Sequence, residues 1–245
     1  MNRIGILVIL ILLVVGCKKP HERQCYKSHG DTDSLIHAIE NISYFDLGKR
    51  IRYRIFQDSL NQVIVHGGEN IISFIELEKE ADTLRIRNKN RCNFLRNKEE
   101  HVFVDIHYPE YNKIRCDITD TLQFMDTIEA TKLDIKLVEG GGYMELDVDV
   151  NQFRLDVTDG VTNFKVGGNV TGTSEIFVKV LSFGDARNLN SKNYLITNNS
   201  TGDFYVNLDN AYTVAKVWGT GNIWYTGVPD TLIVDQVGDG DIVPL

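Results

Sequence analysis

The chain has 245 residues, of which 42% are hydrophobic and 24% charged, with twenty glycines and only four prolines. That balance excludes a disordered or collagen-like chain and allows one well-filled core. The formal charge of −8, with no basic cluster to interrupt it, excludes nucleic acid as a partner, because an acidic body repels phosphate backbones.

The chain begins with Met1-Asn2-Arg3 and an uncharged, mostly aliphatic run from Ile4 to Gly16. That run is too short to cross a bilayer, which takes about 20 residues of helix, and it has the length of a signal-peptide core. It ends in Leu13-Val14-Val15-Gly16-Cys17, similar to a bacterial lipobox, in which a small residue precedes a cysteine that receives a diacylglyceryl group. The competing reading is a plain signal peptide followed by an incidental cysteine. The small-residue-then-Cys ending falls where cleavage should occur, so we expect residues 1–16 to be a lipoprotein signal peptide and Cys17 the lipidation site. Acyl chains would then hold a soluble body to a membrane. Residues 17–38 are polar and aperiodic, as a tether should be, and residues 39–245 form the expected folded domain.

Of the other cysteines, Cys25 lies in the tether, Cys92 in a polar turn, and Cys116 alternates with Ile114 and Ile118 on an apolar face. An export compartment permits a Cys92–Cys116 disulfide; the alternative is a buried thiol and an unpaired one. No Cys-x-x-Cys occurs, so zinc is not indicated, and nothing calls for a cofactor.

Residues 39–130 read as a less regular first half built of short strands. Ile51, Tyr53 and Ile55 alternate with Arg52 and Arg54, the period of two expected when one face is buried. Gln62–His66 and Thr83–Arg87 are further strands, and Ile71–Leu77 fits either a strand or a helical turn. In His101–Tyr108 the even positions Val102, Val104, Ile106 and Tyr108 make a core face. His101, Asp105 and His107 take the other side, where Asp105 and His107 could share an ion only with a third ligand that no spacing supplies.

From Thr131 the strands become regular. Leu133, Ile135 and Leu137 alternate with charges, as do Met144, Leu146, Val148 and Val150. Phe153, Leu155, Val157, Ile176, Val178, Val180, Leu195, Val214, Val217, Leu232 and Val234 continue the inward set. A glycine step recurs with them: Gly140-Gly-Gly-Tyr-Met144, Gly160-Val-Thr-Asn-Phe164, Phe183-Gly-Asp-Ala186, Ser200-Thr-Gly-Asp-Phe204, Gly219-Thr-Gly-Asn-Ile223 and Gly238-Asp-Gly-Asp-Ile242. The closing apolar residues are 20, 22, 18, 19 and 19 apart. Such a period fits one coil of a β-solenoid. The fold class is therefore all-β, a β-helix with coils of about 20 residues. A β-sandwich also has strands every 8–12 residues and is the competitor, but corner chemistry that returns at every second strand favours stacked coils.

Gly219-Thr-Gly-Asn-Ile-Trp-Tyr-Thr-Gly-Val-Pro229 and Gly238–Ile242, with Val63-Ile-Val-His-Gly-Gly-Glu-Asn70 and Leu84–Asn93, carry a family likeness. On these motifs the body, over about residues 40–245, resembles the head GIN-domain family of auto-transporter adhesins found in envelope lipoproteins. The resemblance implies a right-handed, single-stranded β-helix and no established enzymatic activity. The steps at Phe183-Gly184 and Thr201-Gly202 lack one glycine, so a bulge is expected near residues 184–195.

The remaining patterns offer weaker chemistry. Each Gly-x-Gly leads into a strand, not into a helix whose N-terminus could hold a phosphate. The Asp-Gly corners (Asp159-Gly160, Asp239-Gly240-Asp241) lack the nine-residue tandem repeat of a calcium β-roll. Glu145, Asp147, Asp149 and Asp156, with Arg154 nearby, would suit a polysaccharide-cleaving groove only if enclosed. Trp218, Trp224, Tyr205 and Tyr212 are the candidate sugar-stacking strip. Asp-Ser/Thr-Leu/Ile occurs six times, at Asp33, Asp58, Asp82, Asp120, Asp126 and Asp230; it resembles an O-glycosylation acceptor, while Asp and Thr are also good turn residues.

These readings predict a non-enzymatic, lipid-anchored cell-envelope protein of adhesin-like or structural type. It would bind an envelope protein or a glycan through the solenoid surface, with the outer membrane the favoured location. A glycan-active β-helix enzyme is the alternative.

Overall fold

A computed structural model describes residues 28–91 and 101–245. Its 18 strands and one short helix form a single continuous sheet wound into a β-solenoid of about seven turns, with coils roughly 20 residues apart. Parallel pairing between successive coils excludes the sandwich, whose strands would meet antiparallel.

The regular part begins at β10 (Ile128–Val138) and runs through β11 (Tyr143–Val157), β12 (Asn163–Val180) and β13 (Phe183–Ser200). These long strands bend around the coil where two short strands per coil were expected. Ile128 pairs with Val148, Leu133 with Phe153, Met144 with Phe164 and Val148 with Gly168, a shift of one coil each time. The next coils divide into β14 (Phe204–Asn207) with β15 (Tyr212–Val217), then β16 (Ile223–Thr226) with β17 (Thr231–Gln236), and β18 (Ile242–Pro244) closes the described chain. The sheet thus makes two walls. On the first, the later parts of β10–β13 are followed by β15 and β17. On the second, the earlier parts of β11–β13 are followed by β14, β16 and β18.

The strand alternation fixes what lies inside. Leu133, Ile135, Leu137, Met144, Val148, Leu155, Val157, Ile176 and Val178 are all fully buried, so each coil shares its aliphatic filling with the next. Four expected core residues are not buried: Val234, the register partner of buried Ala215, is 40% exposed on β17, and three others face out. Leu195 lies between buried Tyr194 and Ile196, Val214 between buried Thr213 and Ala215, and Val180 sits at a turn with φ 70°. An apolar residue on the solvent parity of a strand is simply exposed. The expected bulge near residues 184–195 is present: Lys165 and Gly167 face Asp185 and Asn188, so β13 carries one extra residue there, and a second irregularity puts an extra residue in β12 between Val170 and Thr173.

The first half departs from sequential winding. β2 (Tyr44–Leu47) pairs in parallel with both β6 (Thr83–Asn88) and β8 (Lys113–Asp117). β3 (Arg52–Gln57) likewise lies between β7 (Phe103–Tyr108) and β9 (Thr121–Phe124). The first coil in sequence is therefore the second in space. Beyond it the solenoid is closed by antiparallel additions: β4 (Gln62–Gly68) on β7, β1 (Thr32–Ala38) on β4, and β5 (Ile75–Glu80) on β6. Between β4 and β5 a one-turn helix, α1 (Glu69–Ile72), buries Ile71 and Ile72. A terminal coil without such a cover would leave its apolar interior wet. No helix among the described residues is long and apolar enough to cross a membrane.

Candidate binding surface

The corners are built by stacked backbone. At Gly238 the amide N–H donates to Val217 O (3.0 Å), and at Gly240 it donates to Gly219 O (3.1 Å). A Cβ on Gly238 would collide with Gly219 O in the coil below, so the recurring glycine answers a close approach of one corner to the next. The residue after the glycine step in each of the last three coils adds a second ladder. Asn222 N donates to Asp203 Oδ1 (2.9 Å), and Asp241 N donates to Asn222 Oδ1 (2.9 Å). This Asx column, spaced by one coil, was readable in the sequence as Asp203, Asn222 and Asp241 but is hidden by a search for apolar residues alone.

The four candidate aromatics do not form one strip. Tyr205 and Trp224 are register partners on the second wall. The Trp224 indole N–H donates to Asp203 Oδ2 (3.0 Å), and the Arg187 guanidinium lies 5.2 Å from the centre of the Tyr205 ring. Tyr212 and Trp218 belong to the first wall, at the start and just past the end of β15. Trp218 has Lys216 5.2 Å from its ring centre and donates its N–H to Asp235 (3.3 Å). On the same second wall as Tyr205, the sequence reading missed Tyr143 and Phe183, which are 39% and 46% exposed. Tyr143, Asn163 and Phe183 are consecutive register partners. Each precedes the inward residue of its coil, a one-per-coil signal that could have been found.

Charges on this wall are paired in place. Lys165 Nζ meets Glu145 Oε1 at 3.0 Å, and that contact raises the lysine's ammonium above its ordinary range. The Arg187 guanidinium grips Asp185 through both oxygens and holds its carboxyl below the usual carboxylate range. Asp147 and Asp149 are exposed on β11, while Asp156 sits on the first wall, paired with Arg154 at 3.0 Å. The acidic row is thus divided between two open walls. On the first wall a trough of about 400 Å³ runs beside Leu195 and Val214, with Arg154, Glu175 and Lys216 at its margins.

The histidine row is likewise divided. Asp105 accepts two bonds from Arg54, both 2.6 Å, and lies 3.2 Å from His66. His107 pairs with Asp58 (2.6 Å) and stacks on Phe56, whereas His101 contacts Arg52 and Asp120. No group of three or more His, Cys, Asp or Glu side chains arranged to hold a metal ion occurs among the described residues. Cys116 is buried on β8, its thiol pushed well up by burial. Its expected partner Cys92 and the lipidation candidate Cys17 lie outside the described residues. Of the six Asp-Ser/Thr sites, Asp33, Asp58 and Asp120 accept a backbone N–H one or two residues on. That is the turn role expected of aspartate.

A family model described as "Putative auto-transporter adhesin, head GIN domain" matches residues 45–229, most of the chain. The chain belongs to the head GIN-domain family. Solved structures agree on the fold. A "putative adhesin" from Bacteroides fragilis has a TM-score of 0.78 at 18% identity, covering 88% of this chain and 97% of its own. A "putative adhesin" from Parabacteroides distasonis has a TM-score of 0.64 at 16% identity, with 88% and 98% coverage. A "putative lipid binding protein" from the same organism reaches 0.61 at 15% identity, with 89% and 98% coverage. At such identities the likeness is one of fold. No match was found among curated proteins. The head GIN domain accordingly accounts for both the glycine corners and the adhesin-type reading, and nothing in these comparisons indicates catalysis.

Proposed function

We propose that this head GIN protein is a lipid-anchored adhesin of the cell envelope. It is tethered through Cys17, with the outer membrane as the favoured location, and it engages a glycan or an envelope protein with the outside of its solenoid. The observation that carries the reading is the second wall, where aromatic side chains and paired charges form a flat, solvent-facing ladder over several coils. Membership of an adhesin family supports it, as does the aliphatic run that ends in Gly16-Cys17. Paired-carboxylate hydrolysis needs one acid of raised pKa in an enclosed cleft. Glu145, Asp147 and Asp149 stand on an open strand instead, which favours binding over turnover. A Cys92–Cys116 bridge and glycan attachment at the Asp-Ser/Thr sites fit an exported protein and stand as parts of the same proposal.

The test is made in cells. Metabolic labelling with a fatty acid should mark the mature protein and should fail for Cys17→Ala, which should also leave the membrane fraction. External protease should degrade the wild-type protein on intact cells. Protection from protease would make it a structural protein of the periplasm, and an unlabelled wild-type protein would remove the anchor.

A further inference from the structure

We propose that the second wall, from Tyr143 through Phe183 to Trp224, binds an uncharged oligosaccharide laid along the solenoid axis. This inference rests on the adhesin reading above and deepens it by naming the face and the ligand class.

Three observations converge on that face. First, it carries aromatic side chains at coil spacing that the core does not use. Tyr143 and Phe183 share one register column, two strands apart with Asn163 between them. That is about 10 Å at the ordinary strand spacing, comparable with a disaccharide unit. Phe183 and Tyr205 are diagonal neighbours across the next strand pair, and Tyr205 leads directly to Trp224. Aromatic rings at this exposure offer apolar faces for the C–H face of a pyranose, and hydroxyl and amide groups beside them offer hydrogen bonds.

Second, the cations along the wall are already engaged. Glu145 is bound to Lys165, and Asp185 to Arg187. Both Asp203 oxygens are taken, by the Asn222 backbone N–H and the Trp224 indole N–H. Among the described residues, no cation on this wall is left over to receive a sulfate, a phosphate or a sialic acid. Asp147 and Asp149, exposed on the same face of β11 four and six residues beyond Tyr143, would repel such groups. The electrostatics therefore select a neutral ligand.

Third, the wall is a sheet face, not an edge. An extended peptide would seek unpaired backbone groups, but each of these strands is hydrogen-bonded on both sides. A glycan chain needs no edge. Its repeat can follow the side-chain rows, which advance by one strand per coil.

The experiment uses the full-length chain in detergent on an array of neutral hexose and N-acetylhexosamine oligosaccharides, with sialylated and sulfated counterparts. The tightest neutral binder is then titrated against variants. We expect neutral oligosaccharides to bind and the acidic counterparts to bind more weakly. Phe183→Ala and Tyr143→Ala should each weaken binding about tenfold. Both side chains are exposed, and an unchanged circular dichroism spectrum would show that the fold is kept. Trp218→Phe and Tyr212→Phe, on the first wall, should bind as the wild type does. Binding that ignores Phe183→Ala and Tyr143→Ala, or that is lost with Trp218→Phe, overturns the assignment of this face. Absence of any neutral binder overturns the ligand class. If cells carrying the protein still adhere in either case, the adhesin reading survives without this inference, whereas loss of both would remove the two together.

Discussion

The rings of Phe164 and Phe204 lie with centroids 6.0 Å apart although a whole coil separates them, because the coil between them contributes Gly184. The sequence reading had matched Ala186 to this column; the register places Gly184 there, and the column spacing becomes 20, 20, 20, 19 and 19. The two rings fill the space that Gly184 leaves. A Cβ at Gly184 would fall inside contact distance of both rings. Gly184→Ala should therefore destabilise the fold by about 1–3 kcal/mol through overpacking. Combining it with Phe164→Leu should recover part of that loss. Urea unfolding of the wild type, the two single variants and the double variant gives the coupling directly. A neutral Gly184→Ala would mean that the rings do not close over the glycine.

Three buried tyrosines share another device. Tyr53 donates to Gly48 O (2.9 Å), Tyr111 to Ile106 O (3.0 Å) and Tyr194 to Leu189 O (2.7 Å), each to the carbonyl five residues earlier. Burial pushes all three phenols well above their ordinary range. The unfolded chain ionises its tyrosines near pH 10, while the folded one keeps these protons. The folded state thus binds more protons above that pH, so the stability contribution is complete below about pH 10 and is lost as pH rises beyond it. Absorbance titration should show three of the ten tyrosines ionising only together with unfolding. Tyr194→Phe should cost about 1 kcal/mol at neutral pH.

Tyr194 also sets its neighbours. Ser174 and Thr213 are its register partners in the coils on either side, and both are fully buried. Small residues make room for the ring. Neither hydroxyl has a hydrogen-bond partner among the described residues, and an unsatisfied buried hydroxyl costs about 1–3 kcal/mol. Thr213→Val keeps the shape and removes that penalty, so it should raise the urea midpoint. Thr213→Leu should lower it by crowding the ring. A lowered midpoint for Thr213→Val would show that the hydroxyl is satisfied in solution.

Much of the regular half was legible because strand parity and glycine spacing are local marks. Leu133, Ile135, Leu137 and the Met144 series went inward as their alternation required. Leu195 and Val214 did not, since a lone aliphatic residue cannot reveal its own parity without the buried Tyr194 and Thr213 beside it. The out-of-order first coil left no local mark either. β2 finds its partners 39 and 69 residues away, at Thr83 and Lys113 for Tyr44, and no periodicity encodes so long a return. The aromatic set was half legible. Tyr205 and Trp224 stand one coil apart as their spacing implied, whereas Tyr212 and Trp218 fall on β15 and its end, around the corner.

That displaced first coil is held by charge as well as by hydrogen-bonded strands. Asp46 on β2 is buried and meets Arg87 and Arg85 from β6 on one side and Arg115 from β8 on the other, the last at 2.9 Å. One carboxylate therefore stands between three guanidiniums belonging to the two coils that enclose it. Removing its charge leaves the β6 and β8 cations facing each other across two strand spacings, with only β2 between them. Breaking a buried pair costs about 3–5 kcal/mol, and the guanidiniums here are roughly a third exposed, so solvent screening lowers the expectation for Asp46→Asn to about 2 kcal/mol. The cost should shrink at high salt, where repulsion between partly exposed cations is screened. The exposed pair of Glu145 and Lys165 provides the contrast, because Glu145→Gln should leave the unfolding midpoint where it was. Equal effects of Asp46→Asn and Glu145→Gln would mean that strand pairing alone places β2 between β6 and β8, with the arginines as bystanders.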